Sequence, residues 1–572
     1  MANTDNVERI DLNKIDWQSS REFFNSLRDE IEKLDDKEES YNFTWVGKRK
    51  SKFEAGTPIN KTLRPDIDIS KDFDDTKNML IVGDNLDALK LLQESYLGKI
   101  KMIYIDPPYN TGHDFVYHDN FTIKKADYKD NTTDSEGNKV ISEDEFTENS
   151  KANGRFHSDW LSMMCPRLLL SKNLLSDDGL IFISIDDNED YNLQKLCNEV
   201  FGEDNFVNKI VWHYGKMSNE SNKLANNHEY VLVYKKTNIG GIYKKVKKED
   251  SEYRNRYLRF ISPDNTVKYG KVKNSTDNLI LGRIKKIKVA LKKDELDDED
   301  VLFDFNKEFK AHSDTIYHSI IKGNAEENVK EFDMGQKPLG LIDLYLKLVT
   351  DKNDIILDFF AGSGTTGHAV MDLNAEDGGN RKYILVQLDE KTDDKSEARK
   401  AGYDTIDQIT AERLRRAGDK IIKEHPDLEG KLDTGFRVFH IDSANEKEDI
   451  RKSVYDTKQE DLFDSIDNIK KDRTPLDLLF GTIIYMALPL DLKLEVKHIN
   501  DNTVYFYGYQ DEGMGLIACF DDNISDDTIK EIAKLKPLTA VFKDSSFKDS
   551  SAKINLSEIF RTISNDTRVK VI

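Results

Sequence analysis

The sequence predicts an α/β fold built on a parallel, doubly wound sheet. Between residues 79 and 235, short apolar runs alternate with amphipathic stretches, as in strands joined by crossover helices. Two of those runs end at an acid, Asp84 and Asp106. A second alternating region, residues 355–388, carries a glycine-rich turn. Because ligands bind beyond the carboxyl ends of such strands, the acids and the turn predict the site.

The most informative stretch follows the apolar run 101–105, where the chain reads Asp106, Pro107, Pro108, Tyr109. Proline cannot continue a central strand, so the strand ends here. Each residue type suits one task at an exocyclic amine. The carboxylate accepts one N–H, a rigid prolyl carbonyl accepts the other, and the aromatic ring stacks on a flat base. An ordinary Pro-Pro turn is the alternative.

The glycine-rich turn leaves several ligands open. Its outer glycines have P-loop spacing, but a His-Ala pair stands where a P-loop needs Lys-Ser/Thr, which argues against a nucleoside triphosphate. Gly362, Gly364 and Gly367 have the dinucleotide spacing, and Asp389 follows about 20 residues later. Another adenosine-bearing cofactor fits the turn equally well. The turn alone does not decide between them.

Together the two motifs resemble those of the amino-group DNA methyltransferases that use S-adenosylmethionine. The Asp-Pro-Pro-Tyr motif precedes the Phe-x-Gly-x-Gly motif, Phe360 to Gly364, which is the order of the β-type permutation. The resemblance implies a Rossmann-like fold with circularly permuted motifs and methylation of the N6 amine of a flipped-out adenine in double-stranded DNA. Asp rather than Ser before Pro-Pro-Tyr favours adenine. The alternatives are a cytosine-N4 enzyme, a solitary adenine methyltransferase, and an idle DNA-binding specificity subunit.

The resemblance also assigns roles to residues. The expected catalytic residues are Asp106, Pro107, Pro108 and Tyr109. The expected cofactor residues outside the turn are Asp84 and Asn85 at the adenine, Lys337 and Pro338 at the methionine end, and Asp389 or Glu390 at the ribose, with that choice open. The expected cofactor residues in and beside the turn are Asp358, Phe360, Ala361, Gly362, Ser363, Gly364, Thr365 and Thr366.

A basic interval lies between the two motifs. From Lys235 to Lys293 there are 18 Lys/Arg and 5 Asp/Glu, although the whole chain has a net charge of −22. Tyrosines interleave with the lysines, which suits phosphate contact and base-edge readout. A solvated basic face is the alternative. In the family resembled, a target-recognition segment falls here, and the expected DNA contacts are Lys244, Lys245, Lys247, Lys248, Lys285, Lys286 and Lys288.

Composition shifts predict five segments. They are a helical and loop extension (1–75), a lobe with the Asp-Pro-Pro-Tyr motif (76–235), the target-recognition insert (236–333), a lobe with the glycine turn (334–440) and a small α+β domain (441–572). The ending, Lys553 to Ile572, resembles the tail of type III modification subunits. That resemblance implies a homodimer and a separate restriction subunit as partners.

Other features of the sequence argue against a metal site, a membrane span and a secretion signal. Cys165, Cys197 and Cys519 lie far apart without metal-ligand spacing, which predicts reduced, buried thiols and no metal site. No apolar run reaches about 18 residues, so no membrane span is expected. The polar, acidic start predicts no secretion signal. We therefore expect a cytoplasmic protein whose partner, if DNA is cleaved, supplies the nucleotide-driven activity.

Overall fold

The structure is a computed structural model. It describes residues 43–112, 115–117, 146–148, 154–213, 228–237, 246–247, 266–274, 278–291, 293, 295–304, 309–310, 315–317, 336–447, 469–547 and 550–572. The predicted DNA contacts Lys244, Lys245 and Lys248 lie outside these residues, and Lys247 is described only as part of a strand.

The first lobe alternates strands and helices as predicted. Its strands bury apolar side chains on both faces, as a sheet covered on both sides requires. Its elements are α1 (Lys48–Gly56), β1 (Lys61–Lys71), β2 (Met79–Val82), α2 (Asn85–Tyr96), β3 (Ile100–Ile105), β4 (Phe115–Tyr117), β5 (Phe146–Glu148), α3 (Phe156–Leu174), β6 (Leu175–Ile185), α4 (Asp190–Phe201), β7 (Phe206–His213) and β8 (His228–Lys235).

The described parts of the insert form short elements, some of which enclose a small apolar core. That core contains Val267, Val272, Ile280, Leu296 and Leu302. The elements are β9 (Val246–Lys247), β10 (Thr266–Lys268), α5 (Tyr269–Val272), α6 (Asn278–Leu291), β11 (Val301–Asp304), β12 (Phe309–Lys310) and β13 (Thr315–Tyr317). Since β13 pairs in parallel with β7, the end of the insert returns to the main sheet.

The second lobe carries the glycine turn between β14 and α8. Its elements are α7 (Leu339–Val349), β14 (Ile355–Asp358), α8 (Thr365–Asp377), β15 (Lys382–Gln387), α9 (Glu397–Lys400), α10 (Ile406–Glu424) and β16 (Phe436–Ser443). The strand β16 runs past the boundary predicted at residue 440. It pairs with β1, so residues 61–71 belong to the main sheet and not to a separate extension.

Both lobes share one ten-stranded sheet, in the order β1-β16-β2-β15-β14-β3-β6-β8-β7-β13. The six strands from β16 to β6 are parallel, whereas β1 and β8 run antiparallel to their neighbours. Helices α2, α3 and α4 pack on one face and α7, α8 and α10 on the other. The doubly wound α/β fold is thus confirmed, with β8 as a reversed strand that the sequence did not predict.

The order of the strands reverses between β14 and β3. From β14 the chain crosses through α8 to β15, and from β3 it crosses through α3 to β6 on the opposite side. Such a switch point opens a crevice at the carboxyl edge of a parallel sheet. The two sequence motifs end the two strands that flank this crevice.

The C-terminal segment is an α+β unit that packs onto the sheet. Its elements are α11 (Pro475–Tyr485), β17 (Leu494–Ile499), β18 (Asn502–Tyr507), β19 (Leu516–Cys519), α12 (Asp526–Lys534), β20 (Thr539–Phe542), α13 (Ser550–Ile563) and β21 (Arg568–Val571). One face of its five-stranded sheet joins the apolar core under α2 and α3, and the other packs on α12 and α13. This unit therefore shares a core with the lobes.

Candidate active site

The two sequence motifs lie side by side. In the parallel pair β3 and β14, Ile103 is aligned with Leu357. Neighbouring strands are about 4.8 Å apart, so the residues that follow, Asp106 on one strand and Phe360 on the other, emerge together at the crevice. The structure therefore brings the Asp-Pro-Pro-Tyr motif and the glycine turn to one site.

Two polar side chains of the first motif contact two others from outside it. The Tyr109 hydroxyl lies 2.9 Å from Oδ1 of Asp106 and 3.1 Å from Oε2 of Glu229. Lys337 donates to the Tyr109 hydroxyl at 2.6 Å and to Glu229 at 2.5 Å, and its Nζ lies 3.5 Å from Asp106. The same ammonium lies 4.9 Å from the centre of the Tyr109 ring and 5.4 Å from that of Trp212. We call Asp106, Tyr109, Glu229 and Lys337 the polar cluster.

Lys337 lies beside the Asp-Pro-Pro-Tyr motif, with its ammonium against Asp106 and Tyr109. Its expected place at the methionine end of the cofactor stays a prediction. Pro338 is the N-cap residue of α7, and its carbonyl accepts from Leu341 N–H at 3.1 Å. The segment before α7 therefore contributes a charge to the catalytic motif.

Glu229 was missed by the sequence reasoning. It is the second residue of β8, which pairs antiparallel with β6, with Tyr230 opposite Ile185. A reversed strand begins at the edge where parallel strands end, so the start of β8 reaches the crevice. The available signal was an acid at the start of an apolar run. That acid could be placed at the crevice only if the direction of the strand was known.

The charges of the polar cluster are interdependent. Burial raises the pKa of Asp106 above its usual range and Glu229 raises it further, while Lys337 and Tyr109 lower it. Burial alone would lower the pKa of Lys337, but Asp106 and Glu229 raise it above the usual value. Lys337 is therefore a cation, and its charge favours the ionised form of Asp106.

The backbone of the catalytic motif is held from behind. The indole N–H of Trp160, a fully buried residue of α3, donates to the Pro108 carbonyl at 2.8 Å. Asn110 has a φ of 58° and is also fully buried, and its amide donates to Glu189 at 2.6 Å. Asparagine tolerates this left-handed conformation. These contacts fix the turn after β3. The Pro108 carbonyl accepts a hydrogen bond from Trp160 before any ligand binds.

The glycine turn offers open backbone to a ligand. Gly362 has a φ of +52°, and a Cβ added there would meet nothing within 4 Å. Gly364, at +82°, instead faces Thr410, whose Cγ2 would lie 3.0 Å from an added Cβ. Gly362 therefore fits the close approach of a cofactor, and Gly364 serves the packing of α10. Ala361 and Gly362 are held by β15, through hydrogen bonds to the Val386 carbonyl and the Gln387 side chain.

Hydroxyl groups of the turn are anchored inside the protein. Arg413 of α10, 3% exposed, donates to Ser363 Oγ at 2.7 Å and to Thr365 Oγ1 at 2.8 Å. It also donates to Gln336 at 2.9 Å, which ties the turn to the segment before α7. Ser363 and Thr365, expected at the cofactor, thus shape the turn through Arg413. No local pattern in the sequence pointed to this arginine.

Asp358, the last residue of β14, supports the turn from below. It accepts from Thr366 Oγ1 at 2.6 Å and from Phe360 N–H at 3.1 Å. Burial raises the pKa of Asp358 to about 7, and the nearby Asp106 adds to the rise. Asp358 is 2% exposed, so its role in a cofactor site is to shape the turn.

Asp84 and Asn85 lie at the end of β2, on the same edge. Asp84 caps α2 by accepting from Leu86 N–H at 2.7 Å and from Asp87 N–H at 3.2 Å. Asn85 is 3% exposed, and its amide donates to the Phe359 carbonyl at 2.8 Å. The buried Arg167 contacts both residues, at 3.1 Å from Asp84 and 2.5 Å from Asn85.

The Asn85 side chain is therefore occupied within the protein. It joins the end of β2 to the glycine turn, whereas the side chain of Asp84 remains partly exposed. Asp389 and Glu390 follow β15 at the same edge, and both are exposed. Both carboxylates are therefore open to a ribose at this edge.

The described lysines of the basic insert fall into two groups, those on α6 and those paired with acidic residues. In α6, Ile280, Ile284 and Ile287 face the small core, while Lys285 and Lys286 are exposed on the other side and Lys288 is half-buried. Other lysines pair with the acidic loop that follows: Lys268 with Glu299, Lys273 with Asp298, and Lys293 with Asp297 and Asp300. The first group is thus the better candidate for phosphate contacts.

The described residues lack two kinds of feature. They contain no group of three or more His, Cys, Asp or Glu arranged to hold a metal ion. Within the same ranges, no helix combines the length and apolar character that a membrane crossing needs. The three cysteines are buried and unbridged.

Comparisons with known proteins agree with the geometry. Residues 100–398 match the family model described as DNA methylase. The chain is 34% identical to the StyLTI Mod subunit of a type III restriction-modification enzyme from Salmonella typhimurium, over 71% of this chain and 67% of that protein. It is 30% identical to the EcoP15I Mod subunit from Escherichia coli, over 93% of this chain and 91% of that protein.

Among solved structures, a putative DNA modification methylase from Thermus thermophilus, in complex with S-adenosyl-L-methionine, covers 63% of this chain and 99% of its own. Its identity is 15% and its TM-score 0.29, which is too low for an inference. The family match and the long Mod-subunit alignments are sufficient without it. The chain belongs to the DNA methylase family, whose members are S-adenosylmethionine-dependent DNA methyltransferases, and within it to the type III modification subunits.

Proposed function

We propose that this chain transfers a methyl group to the N6 amine of an adenine flipped out of double-stranded DNA. The observation that carries the proposal is the meeting of Asp106 with the glycine turn at the switch point of the sheet. An acceptor for an amine and an open backbone for a cofactor lie there on adjacent strands. Bound at the turn, S-adenosylmethionine supplies an electrophilic methyl group on a sulfonium.

The chain's own residues bind and orient the base. Flipping a base costs a few kcal/mol, roughly, and stacking on Tyr109 offsets about 1–3 kcal/mol of that. Asp106 accepts one N–H of the amine. The carbonyl of Pro107 accepts the second N–H in this proposal, while that of Pro108 accepts from Trp160. These two bonds direct the nitrogen lone pair out of the ring plane, and alignment of that kind is a main source of rate.

The insert, residues 236–333, is proposed as the target-recognition unit. Exposed Lys285 and Lys286 on α6 support phosphate contact, because their helix buries its opposite side in the insert's own core. Lys244, Lys245, Lys247, Lys248 and Lys288 remain proposals of the same kind. The two lobes around the insert hold the base and the cofactor.

The relatives named as Mod subunits of type III enzymes support a role as the modification subunit. A separate restriction subunit would then be a partner, and a homodimer is the proposed form of the chain itself. Acting on cellular DNA, the protein would work in the cytoplasm. Sequence similarity supports the restriction partner, whereas the homodimer rests only on the resemblance of the C-terminal segment.

Nucleoside mass analysis tests the proposal. DNA from cells that express the chain is digested and compared with DNA from cells that express the Asp106→Ala variant. We expect N6-methyladenine only with the unaltered chain. N4-methylcytosine in its place would identify the cytosine alternative, and no methylated base from a chain that binds S-adenosylmethionine would support an idle specificity subunit.

A further inference from the structure

We propose that Glu229 is a positioning residue that holds the Lys337 ammonium away from Asp106, so that the Asp106 carboxylate stays available to the target amine. The inference deepens the proposed function and rests on it, because it assumes that Asp106 accepts that amine. It concerns Glu229, to which the sequence did not point, and Lys337, for which the sequence predicted a contact with the cofactor.

The distances show an unequal sharing of the ammonium. Nζ of Lys337 lies 2.5 Å from Glu229 and 2.6 Å from the Tyr109 hydroxyl, but 3.5 Å from Asp106. The first two are hydrogen-bond distances, and the third lies at the outer limit of one. Lys337 is therefore bonded to Glu229 and Tyr109 and acts on Asp106 mainly through its charge.

Because the polar cluster is largely buried, the position of the Lys337 ammonium has a strong effect on Asp106. The side chains of Lys337 and Glu229 are 10% and 20% exposed, and that of Asp106 is 29% exposed. Charges in such a setting interact more strongly than on an open surface. If Glu229 lost its charge, Asp106 would be the remaining carboxylate of the cluster, and the ammonium would move onto it. A close ion pair would then compete with the amine for the acceptor oxygens.

Lys337 in turn prevents repulsion between the two carboxylates. Without it, Asp106 and Glu229 would face each other across the Tyr109 hydroxyl with no cation between them. Two carboxylates sharing a site raise the pKa of one of them. Asp106 would then bind a proton and lose its capacity to accept. The pair thus keeps Asp106 ionised, with the Tyr109 hydroxyl as its hydrogen-bond donor and the ammonium held 3.5 Å away.

The arrangement predicts opposite shifts in the pH dependence of methylation. Activity falls as pH drops through the pKa of Asp106, because only the ionised carboxylate accepts the amine. Glu229 raises that pKa and Lys337 lowers it. Removing Glu229 should therefore move the acid limb to lower pH, and removing Lys337 should move it to higher pH. Among the described residues, the titratable groups that interact electrostatically with Asp106 include Lys337, Tyr109, Glu229, Asp358 and Tyr104, and Asp186 interacts with Glu229.

The test compares Glu229→Gln, Lys337→Met and the double variant in the full-length chain. We expect Glu229→Gln to lower kcat about tenfold or more at the plateau pH, with the dissociation constant for S-adenosylmethionine unchanged. The double variant should be more active than Glu229→Gln alone, because the displaced ammonium is gone. Glu199→Gln is the control: Glu199 pairs with Lys48 and Lys52 near the C-terminal end of α4, and the loss of its charge should leave kcat unchanged.

The outcomes separate this inference from the proposed function. If Glu229→Gln keeps the kcat and acid limb of the unaltered chain while Asp106→Ala is inactive, the inference fails and the proposed function stands. If the double variant is no more active than Glu229→Gln, or the two acid limbs shift in the same direction, Glu229 has only a structural role. If the unaltered chain methylates no adenine, the proposed function itself fails. Thermal unfolding midpoints establish that each variant is folded.

Discussion

Ile103 and Leu357 are direct neighbours across the parallel strands β3 and β14. Three residues after each, the chain reaches Asp106 and Phe360, so this single register unites two motifs separated by about 250 residues. Because the strand order reverses at this pair, neither crossover helix covers the crevice. The methyl acceptor and donor meet there, and the predictions below follow from that placement.

Asp106→Ala should abolish methyl transfer without loss of the cofactor. In the proposed complex the carboxylate contacts the amine and not the cofactor, so we expect kcat to fall by at least about 10²-fold. Equilibrium binding of S-adenosylmethionine and single-turnover methylation give the two quantities. Full turnover by this variant would remove Asp106 from the reaction.

Gly362→Ala should weaken the binding of S-adenosylmethionine at least about tenfold. The new methyl group would project into open space at the turn, and a left-handed alanine costs roughly 1 kcal/mol. Gly378→Ala is a matched control, since Gly378 has a φ of +65°, open surroundings and a place at the far end of α8. Equal weakening by both substitutions would mean that backbone strain, and not ligand contact, explains the effect.

Lys285→Gln with Lys286→Gln should weaken DNA binding and reduce its salt dependence. Each phosphate contact contributes about 0.9 to the slope of log K against log salt, so the loss of two should lower the slope by nearly 2. Lys268→Gln with Lys273→Gln removes equal charge from the same insert, but from lysines already paired with Glu299 and Asp298. If the Lys268→Gln with Lys273→Gln variant changed the slope by the same amount, the salt dependence of DNA binding would reflect only the net charge of the insert.

Asp358→Asn should flatten the dependence of stability on pH. The pKa of Asp358 is raised to about 7 in the folded chain, so the folded state keeps a proton that the unfolded state releases near pH 4. The corresponding stability is present at low pH and is lost as pH rises towards 7. Between pH 5 and pH 8, the free energy of unfolding of the unaltered chain should fall by about 2–3 kcal/mol relative to the variant. Denaturant titrations at both pH values measure this difference, and parallel changes would contradict it.

Local sequence patterns predicted those parts of the site that lie at the end of a single strand. The run 355–358 and the stretch up to Ile105 fold as strands, and the fold class and the cofactor are confirmed. Pro65 concealed β1, because proline is excluded from central strands but tolerated on an edge, which β1 is. The residue roles at the cofactor and on DNA stay predictions.

What the sequence did not show are contacts made between distant segments. Arg413 reaches the glycine turn from α10, Arg167 reaches Asp84 from α3, and Glu229 enters through a reversed strand. Lys337 was noticed, but its position depends on the path of the chain after the insert. Such contacts follow from tertiary packing, and no period of apolar residues along the chain encodes them.

The most direct test of the central claim is a crystal structure of this chain with S-adenosylmethionine bound. We predict the sulfonium methyl carbon about 6 Å from the Asp106 carboxylate, which leaves room for one amino nitrogen about 3 Å from each. A cofactor bound away from the glycine turn, or a methyl group too far from Asp106 for one nitrogen to bridge, would contradict the account.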